Sequence, residues 1–293
     1  MSTPPFLAPP PGTCAEPLET SRGRFAAWVL DPEGRSPRGT AILVPGFTGS
    51  KEDFVAVLAP LSGAGWRVVT YDQRGQHETP GSAEAPPESY GLPALAADLL
   101  AVADAVRVGP VHLVGHSFGG LVAREATLAA PSGVVSLTLL SSGPGGVGGP
   151  TAQVAHVFAT ALESMPIEAV WDAKVAHDAA NGLHLPDDPA LADFLRARFV
   201  SNDPLGLAAF ARTLTNAPDR TAELAGSRVP VLVAYGERDD AWPPEVQSEM
   251  AVRLGARREV VAHSGHSPAA EAPDATAGLL VEFWAETESA AYR

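Results

Sequence analysis

VHLVGHSFGGLVAREA, residues 111–126, is an apolar run that ends in Gly-His-Ser-Phe-Gly-Gly and then becomes a small-residue helical pattern. A strand that stops at a serine and continues at once as a helix is the local arrangement that exposes a serine hydroxyl on a sharp turn. Gly115 and Gly119 remove the Cβ atoms that would clash in so tight a bend. The Gly-x-Ser-x-Gly pattern alone is weak, because chance also produces it. Ser117 becomes a nucleophile only if the chain supplies a histidine base and an acid to orient that base.

The surroundings of this stretch decide the fold. Upstream, RFAAWVL (24–30) and TAILVPG (40–46) read as a hairpin-like pair of early strands. The period then switches repeatedly: helix in SKEDFVAVLAPLSGAG, strand in WRVVTYD, helix in LPALAADLLAVADAV, strand in VHLVGHS, helix in FGGLVAREATLAAP, strand in VVSLTLLSS. Such alternation predicts an α/β fold with a mostly parallel sheet and crossover helices. Leu92, Leu95, Ala96, Leu99, Val102, Ala103 and Val106 recur at helical spacing and give one apolar face to lay on that sheet. Ser50 and Asp53 resemble a capping box for the first helix.

Residues 143–215 behave differently. They open with GPGGVGGP and continue as helix-like pieces without a convincing strand, which predicts a helical insertion. Alternation resumes with VPVLVAYGE, a helix around PEVQSEMAVRLG, the strand REVVAHS and a last amphipathic helix near APDATAGLLVEFWAETE. The core is thus expected over 21–142 and 216–293, interrupted once, after a Pro-rich leader at 1–20 that reads as flexible.

Composition narrows the function classes. Apolar residues make up 45% of the 293 and charged residues 18%, with no unbroken apolar stretch long enough to span a membrane, so a soluble globular protein is expected. The leader has neither the basic nor the apolar region of a secretory signal, which predicts a cytoplasmic protein. Cys14 is the only cysteine, so an intrachain disulfide and a thiolate metal cluster are both excluded. The net charge of −14, with 20 scattered Lys and Arg, argues against a nucleic-acid partner.

Both missing catalytic partners lie beyond later strands. YGERDDAWPP follows VPVLVA and offers Asp239 or Asp240 as the acid; HSGHSP follows REVVA and offers His263 or His266 as the base. The order Ser, Asp, His is that of the α/β-hydrolase arrangement. LVPGF (43–47), YDQRG (71–75), GHSFGG (115–120), GERD (236–239) with Pro243, and GHSPAAEAP (265–273) stand in family order, and over about residues 22–287 the chain resembles the α/β-hydrolase superfamily with a helical cap.

The resemblance implies a Ser117, Asp239 and His266 triad, with Asp240 as the local rival to the acid. It implies oxyanion donors in the backbone N–H groups of Phe118 and Phe47, Pro45 standing where relatives commonly carry histidine. Asp72 and Arg74 are expected to organise their turn rather than react. His116 is expected to be structural or pocket-lining, and Phe158, Met165, Trp171, Phe199, Phe210 and Trp242 are candidates for an apolar pocket under the cap. No His or Cys stands at ligand spacing with Asp187-Asp188 or Asp239-Asp240, so no metal and no organic cofactor are expected.

The activity expected is hydrolysis of a small carboxylic ester or related acyl substrate by water. Cleavage of a carbon–carbon bond beside a ketone, a thioesterase-type tailoring reaction, and a non-catalytic ligand-binding role stay open. Ser117 stands where epoxide hydrolases and haloalkane dehalogenases of similar fold carry aspartate, which speaks against both.

Overall fold

The computed structural model describes residues 2–81, 86–107 and 109–291. Its elements in chain order are β1 (Leu18–Thr20), β2 (Gly23–Phe25), β3 (Ala27–Leu30), β4 (Thr40–Val44), α1 (Val55–Gly63), β5 (Arg67–Tyr71), α2 (Leu92–Val106), β6 (Val111–His116), α3 (Phe118–Ala129) and β7 (Val134–Leu140). Then come α4 (Gly149–Ser164), α5 (Ile167–Ala180), α6 (Pro189–Val200), α7 (Pro204–Asn216), α8 (Thr221–Gly226), β8 (Val231–Gly236), α9 (Pro244–Leu254), β9 (Arg257–Val261), α10 (Pro268–Glu271) and α11 (Pro273–Ala291).

β3 to β9 form one sheet in the order β3-β5-β4-β6-β7-β8-β9, parallel throughout except for the antiparallel edge pair β3-β5. All six residues of β6 are buried, as a central parallel strand covered on both faces requires. One apolar cluster joins the sheet to α2 and α3 and includes every residue of the helical stripe from Leu92 to Val106; the other joins the opposite face to α1 and α11 through Leu58, Leu61, Leu280 and Trp284. α9 closes on Gly255, whose φ of 62° is the left-handed conformation that favours glycine at a helix end.

The early strands do not make the expected hairpin. β5 lies between them, antiparallel to β3 and parallel to β4. Thr40–Val44 are buried throughout, which places β4 inside the sheet, and the loop 31–39 is long enough to carry the chain past a neighbouring strand about 5 Å away. Nor do Ser50 and Asp53 cap a helix: residues Lys51–Phe54 form a 3-10 turn, and Asp53 Oδ1 instead accepts from Arg198 Nη1 of α6 at 2.6 Å.

The leader expected to be flexible is tied down at two points. Cys14 and Val29 exchange backbone hydrogen bonds of 2.8 and 2.9 Å, so the leader partners the outer edge of β3, an edge whose N–H and C=O groups would otherwise be bare. At its start the Ser2 carbonyl accepts from Arg198 Nη2 at 2.6 Å, with both residues buried.

Between β7 and β8 the described chain is helical, α4 to α8, and its two ends meet. Gly146 N–H donates to the Ala217 carbonyl at 2.8 Å and Val147 N–H to the Leu214 carbonyl at 2.7 Å. A Cβ on Gly145 or Gly146 would lie 2.8 or 2.9 Å from the facing carbonyl oxygens, so the glycines of GPGGVGG let the outgoing and returning chains cross in contact.

Candidate active site

Ser117 occupies the junction of β6 and α3 with φ 53° and ψ −122°, a strained conformation that costs on the order of 1–3 kcal/mol in a non-glycine residue. Its backbone N–H is held by the Leu140 carbonyl of β7 at 2.9 Å. The surrounding glycines are sterically required. A Cβ on Gly115 would stand 2.4 Å from the Gly119 carbonyl oxygen, and one on Gly119 would stand 2.3 Å from the Val44 carbonyl oxygen. The motif therefore folds as an elbow that presents the serine hydroxyl at the carboxyl end of the sheet.

That hydroxyl meets His266. Ser117 Oγ lies 2.9 Å from His266 Nε2, and His266 Nδ1 lies 2.9 Å from Asp239 Oδ1. An ionised carboxylate only accepts, so Nδ1 carries the proton and Nε2 presents its lone pair to the serine O–H. Asp239 also accepts at Oδ1 from the Ala241 N–H at 3.0 Å and at Oδ2 from Gln247 Nε2 at 2.9 Å. Burial works to raise its pKa, but the bonds from His266, Gln247 and Ala241 outweigh it and hold the carboxyl below its ordinary value.

Neither local rival is the hydrogen-bond partner in this relay. Asp240 is exposed, and His263 faces solvent with Glu237 3.8 Å away. Gly236 lets the end of β8 approach the base loop, since a Cβ there would fall 2.0 Å from the Gly265 carbonyl oxygen.

Sequence reading missed the roles of four residues that hold this constellation. Gln247, from α9, bonds Asp239 and the Trp242 carbonyl with one amide nitrogen. Glu271, from α10, accepts from Gly265 N–H at 2.6 Å and Ser267 N–H at 2.9 Å, the residues on either side of His266. Gln76 Nε2 donates to the carbonyls of Gly46 at 2.7 Å and Phe47 at 3.1 Å, while Gln73 Nε2 donates to that of Pro45 at 3.0 Å. Because the Gly46 carbonyl is pinned to Gln76, the Phe47 N–H of the same planar peptide points the opposite way. Phe118 begins α3, so its N–H has no acceptor within the helix.

Asp72 and Arg74 organise turns, as expected. Asp72 accepts from Lys51 N–H at 2.7 Å and Lys51 Nζ at 3.1 Å, and Arg74 makes two bonds to Asp98 at 2.7 and 2.8 Å. Burial pushes the Asp72 carboxyl up to about 7 against the pull of Lys51.

The pocket candidates divide. Trp171, Phe199 and Phe210 are buried: Phe210 stacks on Phe118 at 4.6 Å, and Trp171 packs on Phe199 at 5.3 Å. Their rings fill the join between insertion and core and leave almost no surface for a ligand. Met165 is 45% exposed. Phe158 and Phe47 are half-buried and meet edge to face at 5.6 Å, linking the insertion to the loop beside Ser117. Trp242 is buried, lies 6.4 Å from the His266 ring and donates Nε1–H to the Gly145 carbonyl at 3.2 Å. His116 is buried behind the base, its Nε2 on the His266 carbonyl at 2.7 Å.

Among the described residues, two groups bring three potential metal ligands together: Glu52, His77 and Glu78, and Asp239, Asp240 and His266. In the first the Lys51 ammonium already bridges Glu52 at 2.9 Å and Glu78 at 2.6 Å. In the second both ring nitrogens of His266 are engaged. Among the described residues, no helix is long and apolar enough to cross a membrane.

Residues 41–279 match the profile of the Alpha/beta hydrolase family. The chain belongs to this family. RutD of Variovorax paradoxus (strain S110), a protein named for carbamate hydrolysis, is 30% identical over 251 residues, 78% of this chain and 85% of the relative. Among solved structures, the enol-lactonase of Burkholderia xenovorans LB400 superposes with a TM-score of 0.73 at 23% identity, covering 91% of this α/β-hydrolase and 98% of the lactonase. A carboxylesterase structure from Nitrososphaera gargenis gives a TM-score of 0.75 at 20% identity, over 93% and 99% of the two chains. At these identities the structural likenesses speak for the fold alone.

Proposed function

We propose that this α/β-hydrolase is a serine hydrolase that cleaves a small carboxylic ester or related acyl substrate through an acyl-enzyme. The observation that carries the reading is the continuous relay from Ser117 Oγ through His266 to Asp239, with both contacts at 2.9 Å. Ser117 attacks the carbonyl carbon as His266 Nε2 takes its proton; Asp239 holds the imidazole in the tautomer that leaves Nε2 free and stabilises the imidazolium. His266 then gives that proton to the leaving group. Water, deprotonated by the same Nε2, cleaves the acyl-enzyme and restores the serine hydroxyl.

The oxyanion of each tetrahedral intermediate is received by the N–H groups of Phe118 and Phe47. The α3 N-terminus adds its partial positive charge at that point. Helices α4 to α7 serve as a cap, and the half-buried Phe47 and Phe158 supply apolar surface next to the acyl group. The named role of the RutD relative brings carbamates into the substrate panel beside esters, thioesters and lactones.

The test is covalent labelling by a fluorophosphonate together with turnover of p-nitrophenyl esters graded by acyl length, with Ser117→Ala as control. Labelling of the wild type and not of the variant supports the reading. Absence of labelling and of turnover across the panel overturns it.

A further inference from the structure

We infer that His116 is a positioning residue for the base: its side chain holds the backbone of His266 and thereby sets where the His266 ring stands relative to Ser117. This rests on the serine hydrolase reading and extends it to a residue adjacent in sequence to the nucleophile whose ring nitrogen meets the His266 carbonyl.

The geometry has two parts. His116 Nε2 lies 2.7 Å from the His266 carbonyl oxygen, and a carbonyl only accepts, so this nitrogen carries the proton. The two rings lie 5.1 Å apart at 48°. His116 belongs to β6, the central strand, whose neighbour Ser117 is fixed to β7 through its own N–H. The base loop is thus joined to the nucleophile elbow twice, once through the reacting pair Oγ and Nε2 and once through a contact that does not react.

The His266 loop follows β9, the outermost strand of the sheet, and Arg238 anchors its first residues by donating from its backbone N–H to the Ser264 carbonyl at 3.1 Å and from Nη2 to that of His263 at 2.9 Å. Glu271 takes the N–H groups of residues 265 and 267. The carbonyl at the middle of the turn is left to His116. The His266 carbonyl and the Ser267 N–H belong to one peptide, so His116 on one side and Glu271 on the other fix that plane, and the ring follows it.

The surroundings suit a fixed donor. His116 is buried, and a Cβ added to Gly46 would come within 3.3 Å of its Nδ1, so the ring is wedged between the base and the loop that carries Phe47. Burial first, then the neighbouring His266, pushes its pKa down to about 3, so it stays neutral while His266 takes up and gives back a proton. A second imidazolium would repel the first; a neutral donor to the carbonyl does not.

The experiment compares His116→Phe, which fills the space without the donor, with His116→Gln, whose amide nitrogen stands as many bonds from Cβ as the histidine Nε2. Fluorophosphonate labelling rates are measured per folded molecule, and the low-field proton NMR resonance of His266 Nδ1–H reads the bond to Asp239 without any reaction. Expected are a loss of about 100-fold in labelling rate and a broadened or absent resonance in His116→Phe, against recovery to within about 5-fold and a retained resonance in His116→Gln. If His116→Phe does not fold, His116→Leu takes its place. A folded Phe or Leu variant that labels at the wild-type rate, or a Gln variant as slow as the apolar one, overturns the inference. If the wild type itself is not labelled, the hydrolase reading fails. The resonance then decides the positioning role, supported by its loss in the apolar variant only and overturned by its persistence there.

Discussion

Gln247 spans the gap between Asp239 and Trp242: its amide nitrogen lies 2.9 Å from Asp239 Oδ2 and 2.7 Å from the Trp242 carbonyl oxygen. The carboxylate that meets His266 Nδ1 is therefore itself held by a buried side chain from α9. Replacing Gln247 with Leu keeps the volume and removes the donor. The expected outcome is a kcat lower by about 10-fold to 100-fold at little changed KM for a p-nitrophenyl ester, since binding groups are untouched.

Asp239 and Asp240 are adjacent in sequence and opposite in environment. Asp239→Asn should lower kcat by about 10⁴-fold by favouring the wrong histidine tautomer. Asp240 is exposed, and although its carboxylate lies within 4.8 Å of the His266 and Asp239 polar atoms, solvent screens its charge, so Asp240→Asn should stay within about 3-fold of wild type. Steady-state kinetics of the two variants side by side separates them, and the opposite ranking would move the acid by one residue.

Gln76 holds the Gly46 and Phe47 carbonyls, so its removal should let the loop that carries the Phe47 N–H rotate, and with it the oxyanion donor proposed above. Gln76→Ala is expected to reduce kcat by about 10-fold to 100-fold, less than or comparable to removing one oxyanion donor outright. The measurement that isolates the effect is the rate of acyl-enzyme formation in a single turnover.

Arg198 and Asp53 form a buried pair across the junction of α6 with the core, and Arg198 also holds the Ser2 carbonyl. Burial pushes the Asp53 carboxyl up even against the attraction of Arg198, which marks a charge that depends on its partner. Arg198→Met should destabilise the protein by about 3–5 kcal/mol because Asp53 is left buried and unpaired. Arg198→Met with Asp53→Asn should recover part of that loss. Urea denaturation midpoints of the three proteins give the comparison.

His112 and His116 set an acid limit on stability. Burial pushes both from 6.5 down to about 3, so below pH 6.5 the unfolded chain takes up protons that the folded protein refuses. Stability therefore falls as pH falls through that window, by about 1.4 kcal/mol per pH unit for each histidine. His112 packs between Trp66 at 4.8 Å and Trp284 at 5.3 Å, with its Nδ1 2.7 Å from Ser136 Oγ, a bond whose loss lowers stability equally at every pH in the window. His112→Phe should show a shallower decline between about pH 6 and 4 by one such increment, read from urea midpoints at a series of pH values.

The sequence by itself determined the parts whose causes are local. Alternating hydrophobic periods set the strands and helices, and glycine spacing set the elbow at Ser117 because only a missing Cβ fits 2.4 Å from a carbonyl oxygen. The order of motifs placed Ser117, Asp239 and His266 at strand ends that a parallel sheet brings to one edge. Tertiary structure decided what depends on contacts distant in the chain. β3 pairs with β5 rather than β4, the leader lies along the sheet edge, and Ser50 and Asp53 answer to Arg198 some 145 positions away instead of capping a helix. Gln76 and Gln247 lie outside the motifs, and Glu271 and His116 lie inside GHSPAAEAP and GHSFGG without the motifs giving their contacts, because an amide, carboxylate or ring acquires its role only from the polar group that folding places opposite it.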